Sequence, residues 1–411
     1  MRFVHAADLH IDSPLLGLTR YEGAPLERVR GSTRRATENL VTLCIERDAD
    51  LLVLAGDLFD GDWKDYSTGL FFIREMNRLK SAGVRVVSVR GNHDAANHIS
   101  KHLELPDNVT ELSSEAPQTL NIEELGLAVH GQSYGRRAET AELARNYPAA
   151  VPGVFNLALL HTCATGRAGH EPYAPCSLEL LLSKGYDYWA LGHVHEREVL
   201  HEDPWVVFPG NTQGRHAKEC GPKGASVVDV ADGRVTQVEH VELDVVRWHR
   251  LEVTASPDAD AFGIVEQLVA ELERAKLASG PRVVAARLEL LGETNAHGEL
   301  AHEPERWEAE LRARATVLSG VWIERVKFRT RPLLQRAELT ERQDVLGQVA
   351  RAFAELEQDA GARSDSFAFL SELRAKLPPG LNAVSEADQA GIVEEAERVV
   401  LSRLARLTED T

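Results

Sequence analysis

The amino-acid sequence predicts an α/β protein whose main domain is sandwich-like. Two observations lead to this prediction. Short apolar segments rich in Val, Leu and Ala recur through the first half of the chain, and amphipathic stretches separate the first of them. Segments of this kind are typical of buried strands, and the stretches between them have the spacing of helices that cover a sheet. In such folds the active groups lie outside the carboxyl ends of the strands.

The predicted strands of this domain follow one another in the order RFVHAAD, DLLVLAGD, VRVVSVRGNHD, LAVHGQSY, FNLALLHT and DYWALGHVH. Helix-like spacing at 34–47 and 67–81 predicts two helices between the first three strands. The later segments WVVFPGN, GASVVDV and GRVTQVEHVEL predict hairpin strands that close the second side of the sheet. These elements make up the first predicted domain, residues 1–245.

Patterns of strand, helix, strand, helix and strand then predict a small α+β domain over residues 246–332. Residues 333–411 have a helical pattern and lack strand patterns. Two apolar stripes run along this tail: Val345, Val349, Phe353 and Leu356, and Ile392, Ala396, Val399, Val400, Leu404 and Leu407. The stripes either pack on each other or dock on a partner protein.

Five of the predicted strands lead directly into side chains of the types that bind metal ions: Asp8, His10, Asp57, Asn92, His93, Asp94, His161, His193 and His195. Such an array places oxygen and nitrogen ligands along one edge of a sheet. The spacing of two in Asp8-x-His10 puts both side chains on one face of the strand end. Two divalent cations about 3.5–4 Å apart can clamp the attacking and leaving oxygens of a phosphoryl group when one carboxylate bridges them, and Asp57 is the best bridge. The sequence therefore predicts a two-metal hydrolytic site.

Composition narrows the class of protein. The formal net charge of −18 excludes a broadly basic nucleic-acid-binding surface. The four cysteines are widely spaced and form no C-x-x-C pair, which argues against a disulfide framework and a thiolate zinc site. No apolar stretch approaches the ~20 residues of a membrane span, and the N-terminus does not resemble a secretory signal. We expect a cytoplasmic protein without membrane contact.

The motifs D-x-H, G-D-x-x-D, G-N-H-D, a single strand-end histidine and G-H-x-H occur in this order. Over about the first 215 residues the chain therefore resembles the calcineurin-like metallophosphoesterase superfamily. The resemblance implies a four-layer sandwich with one cation on Asp8, His10, Asp57 and His195, and the other on Asp57, Asn92, His161 and His193. It also implies that His93 protonates the leaving oxygen or stabilises the transition state, with Asp94 orienting it. The mixed ligand set suits Mn²⁺, with Fe²⁺ or Zn²⁺ as alternatives.

The flanking sequence looks like the SbcD-type DNA repair nucleases, and most closely their YhaO-like branch. The segments that carry this likeness are DLHIDSPL, LHTCATGRAGHEPYAPCSLELLLSKGYDYWALGHVHEREVL and FPGNTQGRHAKECGPKGASVV. The likeness implies a metal-dependent DNA exonuclease or endonuclease with a capping domain. It also implies a helical tail that docks on an SMC-like coiled-coil ATPase of the SbcC or YhaN type, and a possible homodimer. Asp60 stands where archaeal and eukaryotic members have histidine, and we expect catalysis to be unaffected.

Two polar segments near the predicted ligands are candidates for DNA contacts. Arg167, His170 and Tyr173 follow the ligand His161, and Arg215 and His216 follow the FPGN turn. Cationic side chains attract phosphate, and a tyrosine can stack on a base. An ordinary surface loop is the alternative for the first segment.

Two other functions stay open on the sequence alone. One is a phosphatase or cyclic-nucleotide phosphodiesterase acting on small molecules, although the roughly 200 residues beyond the catalytic fold weigh against it. The other is a non-catalytic subunit that recruits an ATPase to DNA ends. The complete ligand set argues against a scaffold that has lost its metals.

Overall fold

The computed structural model describes residues 1–13, 29, 31–60, 66–96, 103–164, 173–333, 336–367 and 386–409. The chain divides into two compact units. Unit 1 comprises Met1–Arg250, Ala275–Arg287 and Gly320–Glu324, and unit 2 comprises Leu251–Arg274, Leu288–Ser319 and Arg325–Thr411. The three-domain division predicted from the sequence stays a prediction.

One six-stranded sheet of unit 1 includes the strand that precedes Asp8. Its strands are β1 (Arg2–Ala6), β2 (Leu51–Ala55), β3 (Arg85–Val89), β4 (Val109–Glu111), β11 (Gly224–Ala231) and β12 (Arg234–Glu242). They lie in the order β12-β11-β1-β2-β3-β4, with β1 to β4 parallel and β11 and β12 antiparallel. The helices along this sheet are α1 (Ser32–Glu46), α2 (Ser67–Ser81) and the short α3 (Asn92–Ala96). Helices α1 and α2 agree with the predicted ranges 34–47 and 67–81.

The second six-stranded sheet of unit 1 includes the strands that end at His161 and Gly192. Its strands are β5 (Gln118–Ile122), β6 (Leu127–Gly131), β7 (Phe155–His161), β8 (Tyr188–Gly192), β9 (Glu198–Glu202) and β10 (Trp205–Phe208). They lie in the order β5-β6-β7-β8-β10-β9, and the four inner strands are parallel. The short helix α4 (Leu178–Ser183) precedes β8.

Three hydrophobic clusters join the neighbouring layers of the sandwich in unit 1. Phe3, Val53 and Val87 of the first sheet pack against Leu157 and Leu159 of the second. Further clusters join the first sheet to α1 and α2, and the second sheet to α4 and its neighbouring loops. The order helix, sheet, sheet, helix confirms the predicted four-layer α/β sandwich.

The three late hairpin segments of the first domain divide between the two sheets. GASVVDV and GRVTQVEHVEL form β11 and β12, and β11 pairs with β1 through partners such as Val4 and Val227. WVVF forms β10 and pairs with β8 in the second sheet. The prediction that all three close one side of a single sheet is therefore wrong. Apolar patterning shows that a strand is buried but does not show which neighbour it pairs with.

Three strands form a separate small sheet in the order β13-β14-β15. They are β13 (Val246–Thr254), β14 (Val283–Thr294) and β15 (Val321–Pro332). The helices between them are α5 (Ala261–Ser279), α6 (His297–His302) and α7 (Pro304–Ala315). The predicted order of strands and helices is present, with α6 as an additional turn of helix.

The described part of the tail consists mainly of helices. Its helices are α8 (Arg336–Glu341), α9 (Val345–Gln358), α10 (Ala360–Ser366) and α11 (Glu386–Glu409). Leu346 and Ala350 of α9 are buried with Leu401 of α11, whereas Val345 is 58% exposed. The buried face of α9 therefore starts one residue later than the predicted stripe. In the described part of the chain, no helix has the length and apolar character that a bilayer crossing requires.

Candidate metal centre

The predicted ligands of both sheets meet at the carboxyl ends of five strands. The backbone turns sharply there, because four ligands have a positive φ: Asp8 (53°), His10 (44°), Asp57 (52°) and His193 (98°). Non-glycine residues rarely adopt this region, and such strain concentrates at functional sites. All four side chains are buried.

The first ligand cluster contains Asp8, His10 and His195. The Nε2 atoms of His10 and His195 face each other at 3.2 Å. Asp8 Oδ1 lies 4.0 Å from His10 Nε2 and 3.6 Å from His195 Nε2. Ligand atoms about 2.0–2.2 Å from a shared cation have spacings near these values. This cluster therefore fits one divalent cation.

The second ligand cluster contains Asp57, His161 and His193. His161 Nε2 lies 3.5 Å from Asp57 Oδ2 and 3.1 Å from the side-chain oxygen of Asn92. The same Asp57 Oδ2 atom is 3.9 Å from His10 Nε2 in the first cluster. Asp57 thus lies between the two clusters, in the position of a bridging carboxylate.

Hydrogen bonds to groups outside the two clusters set the tautomers of two ligand histidines. The Nδ1 atom of His161 lies 2.8 Å from the carbonyl oxygen of Ala55, which can only accept a hydrogen bond. The Nδ1 atom of His195 lies 2.8 Å from Glu219 Oε1. A proton on each Nδ1 leaves the Nε2 lone pair directed at the cluster, as metal-binding histidines require. The donor set therefore fits two divalent cations.

Glu219 was not identified as a functional residue from the sequence. Its side chain is 8% exposed, and Oε2 accepts hydrogen bonds from Asn211 Nδ2 at 3.0 Å and from the Arg215 backbone N–H at 2.7 Å. Burial alone raises the pKa of a carboxyl group, but the hydrogen bond with His195 lowers the pKa of Glu219 far below its usual value. Glu219 is therefore an ionised outer partner of the first cluster.

Glycines precede several ligands because the backbone segments approach too closely for a side chain. A Cβ atom at Gly192 would lie 2.0 Å from the carbonyl oxygen of Ala55. A Cβ atom at Gly91 would lie 2.2 Å from Asp57 Oδ1. The glycines of the G-N-H-D and G-H-x-H motifs thus allow the two sheets to bring their ligands together.

Comparisons with known proteins agree with this geometry. A model described as calcineurin-like phosphoesterase matches residues 1–197, and a model described as the middle domain of metallophosphoesterase YhaO matches residues 248–331. The uncharacterized metallophosphoesterase YhaO of Bacillus subtilis is 34% identical over 281 residues, which cover 67% of this chain and 69% of that protein. The chain belongs to the YhaO metallophosphoesterase family.

More distant relatives of this metallophosphoesterase carry the name DNA double-strand break repair protein Mre11. The protein from Methanopyrus kandleri is 27% identical over 61% of this chain, and the protein from Sulfurisphaera tokodaii is 26% identical over 58% of it. The chain spans 58% and 62% of their lengths, respectively. The structure of a dimetal phosphatase from Danio rerio aligns with 59% of this chain, and the alignment includes 97% of the phosphatase chain. The sequence identity is 12% and the TM-score is 0.35.

In this metallophosphoesterase, Asp60 rather than Asp94 orients His93. His93 Nδ1 lies 2.7 Å from Asp60 Oδ1. The Asp94 carboxylate instead accepts hydrogen bonds from three backbone N–H groups, those of Leu58, Phe59 and Gly91, at 3.0–3.2 Å. The orienting role that the resemblance implied for Asp94 is therefore wrong, because its oxygens are used to fix the loops that carry Asp57 and Asn92.

Asp60→Asn is expected to lower kcat about 10-fold or more while both cations stay bound at saturating Mn²⁺. Burial lowers the pKa of His93, but the hydrogen bond with Asp60 raises it above its usual value. A neutral amide stabilises the imidazolium less than a carboxylate does, so fewer His93 side chains are protonated near neutral pH. The basic limb of the pH–rate profile should therefore move to lower pH. An unchanged profile would contradict the assignment of Asp60.

The predicted substrate contacts have different positions. The Arg215 side chain is 14% exposed and lies beside the first cluster, with Nη2 3.3 Å from His195 Nδ1. His216 is 56% exposed and lies 3.6 Å from Glu219. The Tyr173 ring packs near His193, with centroids 5.9 Å apart. Arg167 and His170 lie outside the described residues. The role of all five in binding DNA stays a prediction.

The metal-free centre carries protons that a cation must displace. Burial lowers the pKa of His161, but the Asp57 charge raises it to about 9. Burial likewise lowers the pKa of His195, but hydrogen bonds with Asp8 and Glu219 raise it to about 9. Because metal ligands must be deprotonated, Mn²⁺ affinity should rise from pH 6.5 to pH 9 with release of up to two protons. Calorimetric titration in buffers of different ionisation enthalpy measures this release.

The same pKa shifts predict how the stability of the metal-free protein changes with pH. Both histidines have a higher pKa in the folded chain than the usual 6.5. Their contribution to stability is complete below pH 6.5 and is lost as pH rises through about 9. The Tm of chelator-treated protein should therefore fall across this range, while the Tm increase caused by Mn²⁺ should grow. Metal affinity that is independent of pH would contradict both expectations.

Proposed function

We propose that this protein is a metal-dependent phosphodiesterase that cleaves DNA, with Mn²⁺ as the native cation and DNA repair as its setting. The observation that carries the proposal is the pair of ligand clusters sharing Asp57, with His93 beside them. Two bound cations would supply charge stabilisation for a phosphoryl group and a water of lowered pKa. The chain's own residues provide the other requirements for cleavage.

His93 is placed to donate a proton to the leaving oxygen. Its Nδ1 is engaged by Asp60, which leaves Nε2 available to the substrate. Its backbone N–H donates to Asp57 Oδ1 at 2.9 Å, so the proton donor and the bridging carboxylate have a fixed separation. The His93 side chain is 29% exposed, whereas the ligands around it are mostly buried. A group that contacts both solvent and the metal centre is suited to general acid catalysis.

Two observations support DNA as the substrate. The Mre11 relatives are named for double-strand break repair, and they match this chain beyond a single motif. The chain also has more than 150 residues after the two-sheet sandwich, which a small-molecule phosphatase does not require. The net charge of −18 is no obstacle at the site itself, because bound cations are the largest local charges there.

The test compares substrates on purified protein with Mn²⁺, using chelated protein and His93→Ala as controls. Linear duplex DNA and single-stranded DNA should be cleaved faster than cyclic nucleotides or p-nitrophenyl phosphate. Faster cleavage of the small substrates would favour the phosphatase alternative. DNA binding without any cleavage by the metal-loaded protein would favour the assembly-subunit alternative. End-labelled DNA would then give the polarity of an exonuclease.

We further propose an SMC-like coiled-coil ATPase as the partner of the tail. Ile392, Val399 and Val400 of α11 are 44%, 43% and 37% exposed, while Leu401 on the opposite face is buried. An amphipathic helix with an exposed apolar face can dock in this way. Ile392→Glu should abolish copurification with such a subunit and leave the nuclease activity of the isolated protein intact. Retained copurification would contradict docking through α11.

A homodimer is the other proposed assembly. Tyr66 and Leu70 are 65% and 63% exposed and lie one helical turn apart at the start of α2. Exposed apolar pairs of this kind occur at interfaces. Sedimentation of the wild type and of Leu70→Glu tests this proposal, because only the variant should be a monomer.

A further inference from the structure

The Arg215 guanidinium lies between two carboxylates at the metal centre. Nη1 donates to Asp60 Oδ2 at 3.5 Å, and Nη2 donates to Glu219 Oε1 at 3.2 Å. The backbone N–H of Arg215 also donates to Glu219 Oε2 at 2.7 Å. The three side chains are 14%, 16% and 8% exposed, so these contacts are largely shielded from water. Shielding makes such charge-assisted contacts stronger than exposed ion pairs.

Each carboxylate that contacts Arg215 orients a different histidine. Asp60 contacts Nδ1 of the proton donor His93 at 2.7 Å. Glu219 contacts Nδ1 of the metal ligand His195 at 2.8 Å. Arg215 therefore stands in the middle of a chain of contacts that runs from the proton donor to a ligand of the first cluster. None of the sequence motifs connects these two histidines.

We propose that Arg215 is a positioning residue that couples His93 to His195 through Asp60 and Glu219. The guanidinium is a planar fork, so it can contact two carboxylates at once in a fixed geometry. Without it, Asp60 would keep its contact with His93 and Glu219 would keep its contact with His195, but no group would link the two carboxylates. Lysine offers a single ammonium group and cannot reproduce the bridge.

This inference rests on the proposed function only for the part that concerns the proton donor. The alternative is that Arg215 contacts the substrate phosphate directly, as the sequence analysis predicts. The two roles differ in what a substitution changes. A phosphate contact affects KM for the substrate, whereas a positioning residue affects Mn²⁺ affinity and the response of kcat to the leaving group.

The experiment uses full-length Arg215→Met and Arg215→Lys, with Arg234→Met as the matched control on an exposed hairpin turn. Mn²⁺ affinity is measured by calorimetry, and kcat and KM are measured with the phenyl and p-nitrophenyl esters of thymidine 5′-phosphate. Both Arg215 variants should bind Mn²⁺ about 10-fold more weakly, the usual effect of losing an outer partner of a ligand. Their kcat should fall at least 10-fold more with the phenyl ester, which needs a proton on its leaving oxygen. KM should change little.

Several outcomes would overturn the proposal. A raised KM with unchanged Mn²⁺ affinity would indicate a direct phosphate contact. Full rescue by lysine would show that only the charge matters, and behaviour like Arg234→Met would show no role. Hydrolysis of both small esters without any cleavage of DNA would contradict DNA as the substrate. The same ester measurements would still test the positioning role of Arg215. Thermal unfolding of the metal-free variants checks that each is folded.

A double-mutant cycle tests the coupling without any measurement of activity. If Arg215 links the two carboxylates, Asp60→Asn should weaken Mn²⁺ binding several-fold in the wild type and have no effect in Arg215→Met. Asp60 Oδ1 also lies 3.8 Å from Nδ1 of the ligand His10, which offers a second route to the metal. An effect of Asp60→Asn that persists in Arg215→Met would run through His10 and would overturn the proposal.

Discussion

His93→Ala is expected to lower kcat for DNA cleavage by about 10²–10⁴-fold, the usual contribution of a general acid. Metal content should stay near two cations per chain, because the His93 side chain belongs to neither of the two clusters that share Asp57. Only its backbone N–H contacts the bridging carboxylate, at Asp57 Oδ1, and alanine retains that N–H group. The measurement pairs metal analysis with single-turnover cleavage of a DNA oligonucleotide.

The leaving group of the substrate separates proton donation from other roles of His93. A p-nitrophenyl ester releases a stable phenolate and needs no proton, so His93→Ala should retain most of its activity on that substrate. An equal loss on both kinds of ester would mean that His93 stabilises the transition state without donating a proton. His302→Ala, at an exposed position at the end of α6, controls for the loss of an imidazole. Loss of metal in His93→Ala would show that His93 is a ligand.

The sequence predicts the ligand array well because the physical rule behind it is local. Each buried strand is a short apolar run, and its ligands lie at its last residue or within the next four residues. The helix at 67–81 is likewise read directly from its amphipathic spacing. These predictions need no knowledge of how distant segments meet.

The outer partners could not be predicted because they come from segments that meet only in the folded chain. Asp60 contacts His93 across 33 residues, and Glu219 contacts His195 across 24 residues. Neither pair follows a helical or strand period. The proximity of Asp94 to His93 in the sequence made it the obvious partner, but its carboxylate is occupied by three backbone N–H groups. Buried backbone N–H groups require acceptors, and in the fold they occupy the oxygens of Asp94, so that Asp60 is the partner of His93. Sequence spacing does not show which of the two carboxylates is occupied in this way.

The protonation state of Asp94 supports this division of roles. Burial and the nearby Asp57 charge raise the pKa of Asp94 to about 7, although the three N–H donors act in the opposite direction. Asp60 differs, because burial raises its pKa but the hydrogen bond with His93 lowers it well below the usual value. In the metal-free protein, Asp60 is therefore more fully ionised than Asp94 at neutral pH, which suits the partner of an imidazolium.

Asp57→Asn is expected to reduce activity more than about 10³-fold, beyond the ~10–100-fold effect of losing an outer partner. Asp57 Oδ1 accepts the His93 N–H, and Oδ2 lies between the two clusters. An asparagine can keep the first contact with its carbonyl oxygen, which places its NH₂ group at the bridging position. Because NH₂ has no free lone pair for a cation, both clusters lose their shared ligand.

The stability of Asp57→Asn separates loss of metal from loss of fold. Burial raises the pKa of the wild-type carboxyl group, but the charge of His161 lowers it far below its usual value, so the ionised Asp57 stabilises the metal-free protein. The metal-free Tm of Asp57→Asn should therefore be lower than that of wild type, with unfolding still cooperative. Wild type gains about 2.7 kcal/mol per site at a Mn²⁺ concentration of about 100 times Kd, and the variant should gain almost none. Asp232→Asn, in an exposed hairpin turn, should behave like wild type. Two tightly bound Mn²⁺ ions in Asp57→Asn would contradict the bridging role on which the two-metal site depends.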